Sequence, residues 1–386
     1  MTVNSLNPQS LPNELEIECK EKEVLLKLAF TFRNSLNDFS TSMDRSFKYL
    51  DKIVLPLIMA SKKDKSYNPF AEIIEKYVAH ILVNKLEKDY KLLPLGFSSD
   101  ITLEGSDHIL NIDIKTANLD NPADFKQTVN VGINQTTHAA RLYLRNKLLA
   151  PSPFYIYPNL PPYYELVESP LENTKLKLIF TYTFLFIYPH YNDLMDQIRR
   201  SYNILFDMFQ QNVKNVLINY LTTYSFMTKE EAEKILLKKP ENSRFTREEL
   251  IVENVIRGVF IHREKELLNK LSLSPSDKQI IETFSHELTN FVDNLRKRNV
   301  KPIAVVAISL PNGLLRNIYI DKFVSGKEFG KSMRYHYGKG IFEVIKANLN
   351  EEIPRVLFLD VDTNYLDELK RYFKNIYLLD YKIKKL

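Results

Sequence analysis

Two short runs of alternating apolar and polar residues flank a turn near residue 106. The turn, Gly105-Ser-Asp107-His, is typical of a tight β-hairpin. Pairing the two runs about this turn places Asp100 opposite Asp113. Because residues two apart on a strand share a face, Lys115 is expected beside Asp113. The pattern therefore predicts a hairpin that brings two carboxylates and an ammonium group together.

Patterns elsewhere in the chain predict further strands and helices. Apolar residues at three- and four-residue intervals indicate helices at residues 25–28, 43–61 and 72–86, the last with Asn68 as N-cap and Pro69 in the first turn. The apolar run 176–187 predicts a central strand, and strand character returns at 302–309 and 355–360, before a helix and a final strand ending near Leu379.

The region from about 190 to 300 has the pattern of helices. Three capping signals there precede apolar-periodic runs and begin at Thr228, Thr246 and Ser274. This region is predicted to be a helical insertion. The basic run Arg296-Lys-Arg298 is interpreted as charges at a helix C-terminus.

Length, charge and cysteine content narrow the possible classes. A chain of 386 residues can bury a substantial core, and the single cysteine, Cys19, cannot form an intramolecular disulfide. No secretory pattern opens the sequence, so a cytoplasmic location is expected. The longest apolar run is interrupted by Lys177 and is shorter than the ~20 residues that span a bilayer, so no membrane role is expected. With a net charge of only +5, any affinity for DNA must come from the arrangement of charges.

The hairpin resembles the PD-(D/E)xK nuclease motif of EcoRV-type restriction endonucleases, in which an acid at the start of one strand meets Asp/Glu-x-Lys on the next. Here the motif is Ser99-Asp100 followed by Asp113-Ile-Lys115, and the later pair Val131-Gly132 extends the resemblance. Upstream, Glu72 stands where the family has a further acid, with Glu75 as the fallback. Ser99 departs from the family's proline. The resemblance covers roughly residues 65 to 140, which is the size of a small domain.

The resemblance implies an α/β fold of mixed α+β character, with a restriction-endonuclease-like mixed central sheet flanked by helices. Together with the patterns above, it divides the chain into an N-terminal helical layer (1–60), a nuclease core (61–190), the helical insertion (191–300) and a C-terminal α/β segment (301–386). The insertion is expected to serve dimer contacts or to embrace DNA, and the C-terminal segment to complete the core and carry a DNA-contact loop. It also implies a homodimer that acts on double-stranded DNA. No nucleotide cofactor is expected.

The chemistry expected of the hairpin is metal-assisted hydrolysis. Two adjacent carboxylates repel each other unless a cation lies between them, and Mg²⁺, for which Mn²⁺ could substitute, is the usual cation beside phosphate. Asp100 and Asp113 would hold it with the Ile114 carbonyl, while Lys115 would orient the attacking water. Glu72 would bind a second metal or hold water.

The resulting hypothesis is a type II restriction endonuclease of a restriction-modification system, which hydrolyses phosphodiester bonds in DNA at a short specific site. One alternative is a PD-(D/E)xK nuclease of DNA repair, transposition or recombination. Another is a DNA-binding protein that does not cleave. The structural alternative is that Asp100, Asp113 and Lys115 form an exposed, salt-bridged pair of strands.

Two polar segments are candidates for DNA contact, because Asn and Gln bind adenine edges and Arg binds guanine edges. The first follows the hairpin, and the second is a basic, aromatic loop between glycines near residue 335. The candidate DNA-binding residues are Asn118, Asn134, Gln135, His138, Lys331, Arg334, His336 and Lys339.

Two other acidic features have simpler interpretations. Asp360-Val-Asp362-Thr363 after an apolar run resembles the nucleophile strand of haloacid-dehalogenase-like phosphatases, but the chain that follows is too short for their remaining residues. It is predicted to be a strand end followed by a capped helix. Asp107 is predicted to shape the hairpin turn.

Overall fold

The fold is described from a computed structural model. The described residues are 13–47, 58, 71–93, 99–119, 128–132, 164–169, 172–190, 192–241, 243, 245–262, 265–271, 273–310, 323–324, 332–336, 343–348 and 351–386. The chain divides into two units. The first comprises Met1–Met43, Phe70–Pro189 and Lys301–Leu386, and the second comprises Asp44–Pro69 and His190–Val300.

The described helices are, in chain order, α1 Glu14–Arg33, α2 Leu36–Phe47, α3 Ala71–Leu86, α4 Asn192–Tyr224, α5 Lys229–Leu237, α6 Arg247–Phe260, α7 Lys265–Asn269, α8 Pro275–Asn299 and α9 Leu366–Lys370. The described strands are β1 Lys91–Leu92, β2 Ile101–Glu104, β3 His108–Asn118, β4 Thr128–Gly132, β5 Tyr164–Ser169, β6 Glu172–Tyr188, β7 Ala304–Leu310, β8 Phe323–Val324, β9 Ser332–His336, β10 Val344–Asn348, β11 Glu351–Pro354, β12 Val356–Val361, β13 Tyr377–Leu379 and β14 Ile383–Lys385. None of these helices is long and apolar enough to cross a membrane.

A large mixed sheet organises the first unit. Its strands lie in the order β1-β2-β3-β6-β7-β12-β13-β14, and β5 pairs with the first part of β6. β3 and β6 are parallel, as are β12 and β13, and the remaining pairs are antiparallel. The predicted fold class, a mixed sheet flanked by helices, is confirmed.

Strand β6 lies in the middle of this sheet, as its apolar run predicts. The side chains of alternate β6 residues project from opposite faces of the sheet. Phe184 and Phe186 pack on Phe32 of α1, with ring centroids 5.3 Å and 5.7 Å from it. Leu185 and Ile187 belong to the core cluster on the other face, together with residues of β7 and β12. Even-numbered residues of β6 therefore face α1, and odd-numbered residues face away from it.

The connection between β6 and β7 contains most of the second unit. The two strands are antiparallel neighbours, and Ile187 near the end of β6 pairs with Ala304 at the start of β7. The Ile303 amide donates to the Ile187 carbonyl at 2.8 Å. The chain therefore returns beside the point from which it left the sheet.

The described part of the second unit is helical between residues 192 and 299. The predicted capping boxes at Thr228, Thr246 and Ser274 are all present and begin α5, α6 and α8. The basic run of Arg296, Lys297 and Arg298 lies in the last turn of α8, as predicted.

Two predicted elements differ from the structure. The segment around residue 335 was predicted to be a loop, but Ser332–His336 forms a strand that pairs with Thr128–Gly132 in a separate three-stranded sheet. A strand forms there because the backbone of β4 supplies hydrogen-bond partners for its N–H and C=O groups. The helix predicted at residues 43–61 begins earlier, at Leu36, because Phe39, Met43 and Phe47 form one buried stripe. Residues 48–57 and 59–61 lie outside the described range.

The acidic segment after β12 agrees with its interpretation as a strand end. Asp362 is the N-cap of a short 3-10 helix, where its Oδ1 accepts from the Asn364 amide at 3.0 Å. Asp360 lies 3.5 Å from the ammonium group of Lys301. The second aspartate therefore has a capping role.

Candidate active site

The hairpin has the predicted register. Ile101 pairs with Ile112 and Glu104 with Ile109. Asp100 directly precedes β2, so continuation of this register places it opposite Asp113. The Gly105 amide donates to the His108 carbonyl at 2.8 Å and closes the turn.

Hydrogen bonds of the His108 ring fix the turn. His108 Nδ1 lies 2.6 Å from Asp107 Oδ1, and Nε2 lies 3.0 Å from the Tyr90 hydroxyl. Burial lowers the pKa of His108, although the Asp107 carboxylate opposes that effect. The predicted role of Asp107 in shaping the turn agrees with these contacts.

A buried ion pair connects the hairpin to the central strand. Lys177 Nζ of β6 lies 2.8 Å from Glu104 Oε1 and donates to the Gly105 carbonyl at 2.8 Å. Both side chains are buried. The pair ties the turn end of the hairpin to β6 and so supports the position of the carboxylates at its other end.

Asp100 is oriented by the opposite strand. Its Oδ2 accepts a hydrogen bond from the Ile114 amide at 2.5 Å. In an antiparallel ladder, the N–H and C=O of one residue point to the same neighbouring strand. The Ile114 carbonyl therefore lies on the same side of β3 as the Asp100 carboxylate.

Asp113 and Lys115 form an ion pair on β3. Lys115 Nζ lies 3.2 Å from Asp113 Oδ1 and 2.9 Å from Oδ2. Only 1% of the Asp113 side chain is exposed, against 25% of Lys115. The carboxylate is thus enclosed, and the ammonium group reaches solvent.

Glu75 of α3 joins this group. Burial raises the pKa of Glu75 to about 7, helped by a hydrogen bond with Asp100 and by the charges of Asp100 and Asp113, while Lys115 lowers it. The fallback acid of the sequence interpretation therefore lies at the hairpin. Glu72 is also in α3, but its side chain lies outside the described part of the structure.

The donor set fits a hard cation such as Mg²⁺. The available ligands are carboxylate and carbonyl oxygens, and the charges of Asp100 and Asp113 add to the effect of burial in raising the pKa of Glu75. Among the described residues, no three acidic, histidine or cysteine side chains by themselves form a metal-binding group. That is compatible with Mg²⁺, which usually keeps several waters and needs only one or two carboxylates.

The sequence did not lead us to several buried polar side chains near Asp100 and Asp113, on the hairpin and on β6. On the hairpin, Ser99 Oγ lies 2.6 Å from Thr102 Oγ1, which donates to Asn111 Oδ1 at 3.4 Å. On β6, Thr181 and Thr183 are in register with Asn111 and Asp113. The available signal was the polar pair Thr181 and Thr183 in the otherwise apolar second half of β6.

The candidate DNA contacts are described only in part. Asn118, the last residue of β3, is 8% exposed. Arg334 and His336 lie on β9, opposite Asn130 and Thr128. Asn134, Gln135, His138, Lys331 and Lys339 lie outside the described residues. Contact of these residues with DNA stays a prediction.

The part of the chain that contains the hairpin and α3 is similar to a known family of proteins. Residues 13–192 match the family model of the N-terminal domain of the type II restriction enzyme MwoI. A crystal structure of the restriction endonuclease BglI bound to its DNA recognition sequence aligns over 91% of this chain and 92% of that chain, with 11% identity and a TM-score of 0.39. No curated protein matches the sequence. The match to this family model covers Glu75, Asp100, Asp113 and Lys115, and it supports the interpretation of the protein as a restriction endonuclease.

Proposed function

We propose that the protein is a Mg²⁺-dependent type II restriction endonuclease of the PD-(D/E)xK group, which hydrolyses phosphodiester bonds in double-stranded DNA at a short specific site. The observation that supports this most directly is the grouping of two register-paired acids with Lys115, whose Nζ lies 2.9 Å from Asp113. The grouping falls in the segment that matches a restriction-enzyme domain.

Cleavage of a phosphodiester places specific demands on such a site. The substrate is anionic and repels nucleophiles, so negative charge must be neutralised, a water must be directed at phosphorus and the leaving oxygen must be stabilised. Asp100, Asp113 and the Ile114 carbonyl would hold Mg²⁺, which neutralises charge on the phosphate and lowers the pKa of water. Mn²⁺ could substitute, because it accepts the same oxygen ligands.

Lys115 is placed to act on the attacking water and on the phosphate. Its ammonium group is partly exposed and lies against the Asp113 carboxylate. From there Nζ can donate one hydrogen bond to Asp113 and others to a water oxygen or a phosphate oxygen, since an ammonium has three donors. Lys115 would therefore hold the water in line and offset the negative charge that develops on the phosphate oxygens.

Glu75 would orient Asp100. The hydrogen bond between the two carboxyl groups requires a proton on one of them, and the raised pKa of Glu75, about 7, places that proton on Glu75 below neutral pH. A protonated Glu75 donates to Asp100 and leaves the Asp100 charge intact. In this proposal Glu75 takes the position that the sequence interpretation gave first to Glu72.

The assembly is proposed to be a homodimer acting in the cytoplasm on a palindromic site. Two-fold symmetry of the protein would match two-fold symmetry of the DNA and place one hairpin on each strand. A sedimentation measurement that gives the monomer mass with and without DNA would contradict this part of the proposal.

The deciding experiment is digestion of a mixed-sequence plasmid with Mg²⁺ by the wild type and by Asp113→Asn. We expect discrete bands from the wild type. The variant should lose more than ~100-fold in rate, since even outer partners of a metal ligand contribute ten- to hundredfold. The matched control is Asp107→Asn, in the same hairpin but at the turn.

Each other outcome has a defined meaning. Undiminished cutting by Asp113→Asn would remove the proposal. A smear from the wild type would indicate a nuclease without site specificity, as in the repair or recombination alternative. A gel shift without cutting would indicate a DNA-binding protein that does not cleave.

A further inference from the structure

Two threonines of β6 have buried hydroxyl groups that the mechanism above does not use. Thr181 is 1% exposed and Thr183 is 0% exposed. Neither Oγ1 has a hydrogen-bond partner among the described residues. Both residues are odd-numbered, so they lie on the sheet face opposite α1, together with Leu185 and Ile187. The second half of β6, which is otherwise apolar, thus has two buried hydroxyl groups on one face that lack hydrogen-bond partners in the described part of the structure.

The neighbours of Thr183 restrict what its hydroxyl can bind. In the sheet register, Thr183 lies between Asp113 of β3 and Ile308 of β7. Ile308 offers no hydrogen bond, and neither does Leu185, two residues further along the same face. Asp113 is therefore the nearest ionisable neighbour in register. Adjacent strands are about 4.8 Å apart, so two short side chains that do not bond directly can share one water.

The neighbours of Thr181 differ in one respect. Thr181 lies between Asn111 of β3 and Leu310 of β7. Its polar neighbour in register is therefore the uncharged side-chain amide of Asn111, two residues before Asp113 on β3. Thr181 matches Thr183 in residue type, strand, face and burial, and differs in that it does not face Asp113.

A buried hydroxyl without a partner is unfavourable, because it loses hydrogen bonds to water and gains none. Valine has the same shape and avoids that penalty in an apolar strand. Buried polar groups that lack protein partners are commonly bonded to internal water, which then bridges to another polar group. A threonine beside a buried carboxylate therefore points to a bridging water.

We propose that Thr183 is a positioning residue for Asp113, and that its hydroxyl holds a buried water which donates a hydrogen bond to the Asp113 carboxylate. The inference rests on the proposed function, in which Asp113 is a metal ligand. The water would hold the carboxylate from within the sheet, while Lys115 contacts it at 2.9 Å. Partners of this outer kind fix ligand orientation, and their loss typically weakens metal binding ten- to hundredfold.

The test compares Thr183→Val, Thr183→Ser and Thr181→Val with the wild type, as full-length proteins. Mn²⁺ binding without DNA is measured by isothermal titration calorimetry, and unfolding is measured without metal. We expect Thr183→Val to bind Mn²⁺ ~10- to 100-fold more weakly, since it cannot hold the water. Thr183→Ser keeps the hydroxyl and should bind within about threefold of the wild type, as should Thr181→Val.

The unfolding measurement distinguishes a Thr183 hydroxyl that is bonded to a water from one that has no hydrogen-bond partner. If the Thr183 hydroxyl has no partner, valine removes a penalty, and the unfolding midpoint stays the same or rises. If the hydroxyl holds a water on Asp113, valine breaks a bonded network, and the midpoint falls. Either an unchanged Mn²⁺ affinity or an unchanged or higher midpoint for Thr183→Val would overturn the inference.

Failure of the proposed function would look different. If the wild type neither binds Mn²⁺ nor cuts DNA, the metal site is refuted. If the wild type binds Mn²⁺ and Thr183→Val binds it equally well, only the role of Thr183 is refuted. If Thr183→Val did not fold, a high-resolution crystal structure of the wild type would decide. Ordered water within hydrogen-bond distance of Thr183 Oγ1 and the Asp113 carboxylate supports the inference, and a dry contact there overturns it.

Discussion

At the scale of single residues, the His108 ring shows how burial determines protonation. The ring lies between the Tyr90 hydroxyl and the Asp107 carboxylate, and burial lowers the pKa of the imidazole below its ordinary value of 6.5. A ring that stays neutral can use one nitrogen as donor and the other as acceptor, which suits one carboxylate and one hydroxyl. The folded turn therefore favours the uncharged imidazole of His108.

This gives a pH dependence with a defined sign. Below the ordinary pKa of 6.5, the unfolded chain binds a proton at His108 that the folded chain resists, so the free energy of unfolding falls as pH decreases. We expect chemical denaturation to show a smaller loss between about pH 7.5 and about pH 5.5 in His108→Gln than in the wild type.

The control for this measurement is His80→Gln, which changes an exposed histidine of α3. Its pH dependence should follow that of the wild type. An equal loss of stability in His108→Gln and the wild type would show that the buried ring does not resist protonation.

The acids of the site were predictable where strand geometry alone positions them. A fixed two-residue period and one turn are enough to place Asp100 opposite Asp113, with Lys115 beside it. The choice between Glu72 and Glu75 was not predictable, because it depends on the rotation of α3 about its axis as it packs on the sheet. Thr183 was missed because it is far from Asp113 in sequence and meets it only through parallel pairing of β3 with β6.

At the scale of the element, the hairpin turn depends on the absence of a side chain at Gly105. A Cβ atom there would lie 3.0 Å from His108 Cε1 and 3.2 Å from Tyr90 Cε1. Both rings are held by their mutual hydrogen bond and cannot move independently. The turn therefore has no room for even a methyl group unless that bond is disturbed.

We expect Gly105→Ala to lower the free energy of unfolding by about 1–3 kcal/mol, the usual range for overpacking. Chemical denaturation measures this directly. Ser106→Ala, at an exposed position of the same turn, should change stability by less than about 0.5 kcal/mol. A stability loss of equal size in both variants would contradict the steric explanation.

Elements were predicted best where local signals are strong. The capping boxes at Thr228, Thr246 and Ser274 each begin a helix, because side chain and backbone satisfy each other within one turn. Strand β9 was predicted to be a loop, because five residues become a strand only when a distant partner supplies hydrogen bonds. That partner, β4, is about 200 residues earlier in the chain.

At the scale of the whole molecule, Arg355 links parts of the first unit that are distant in sequence. Its side chain is 0% exposed, and its Nε and Nη2 donate to Glu21 of α1 at 2.9 Å and 3.0 Å. Its Nη1 donates to the Val344 carbonyl at 2.5 Å, and Ser309 of β7 donates to the same Glu21 at 2.5 Å. The first described helix and the last third of the chain thus share one buried network.

Breaking this network should be costly, because removal of one partner leaves the other charge buried. We expect Arg355→Met to lower the free energy of unfolding by about 3–5 kcal/mol, measured by denaturant titration. Lys301→Ala, which removes an ion pair with Asp360 from a largely exposed lysine, should cost at most about 1 kcal/mol. If the two variants were equally destabilised, the Arg355 network would not be a main connection.

The sequence predicted a mixed sheet and its main strands, but not their order. The strands β3, β6, β7 and β12 each have an apolar pattern that predicts strand character. Which strands become neighbours depends on packing against distant helices such as α1, and no local pattern records that choice. The position of β12 between β7 and β13 is an example.

The pairing of Ile187 with Ala304 has a consequence for how this architecture can vary. An insertion whose two ends lie side by side in the sheet has little influence on strand pairing, whatever its length. Such an insertion can be enlarged, shortened or exchanged over evolutionary time while the pairing of the strands at its base is retained. Chains of very different size are therefore compatible with one catalytic scaffold.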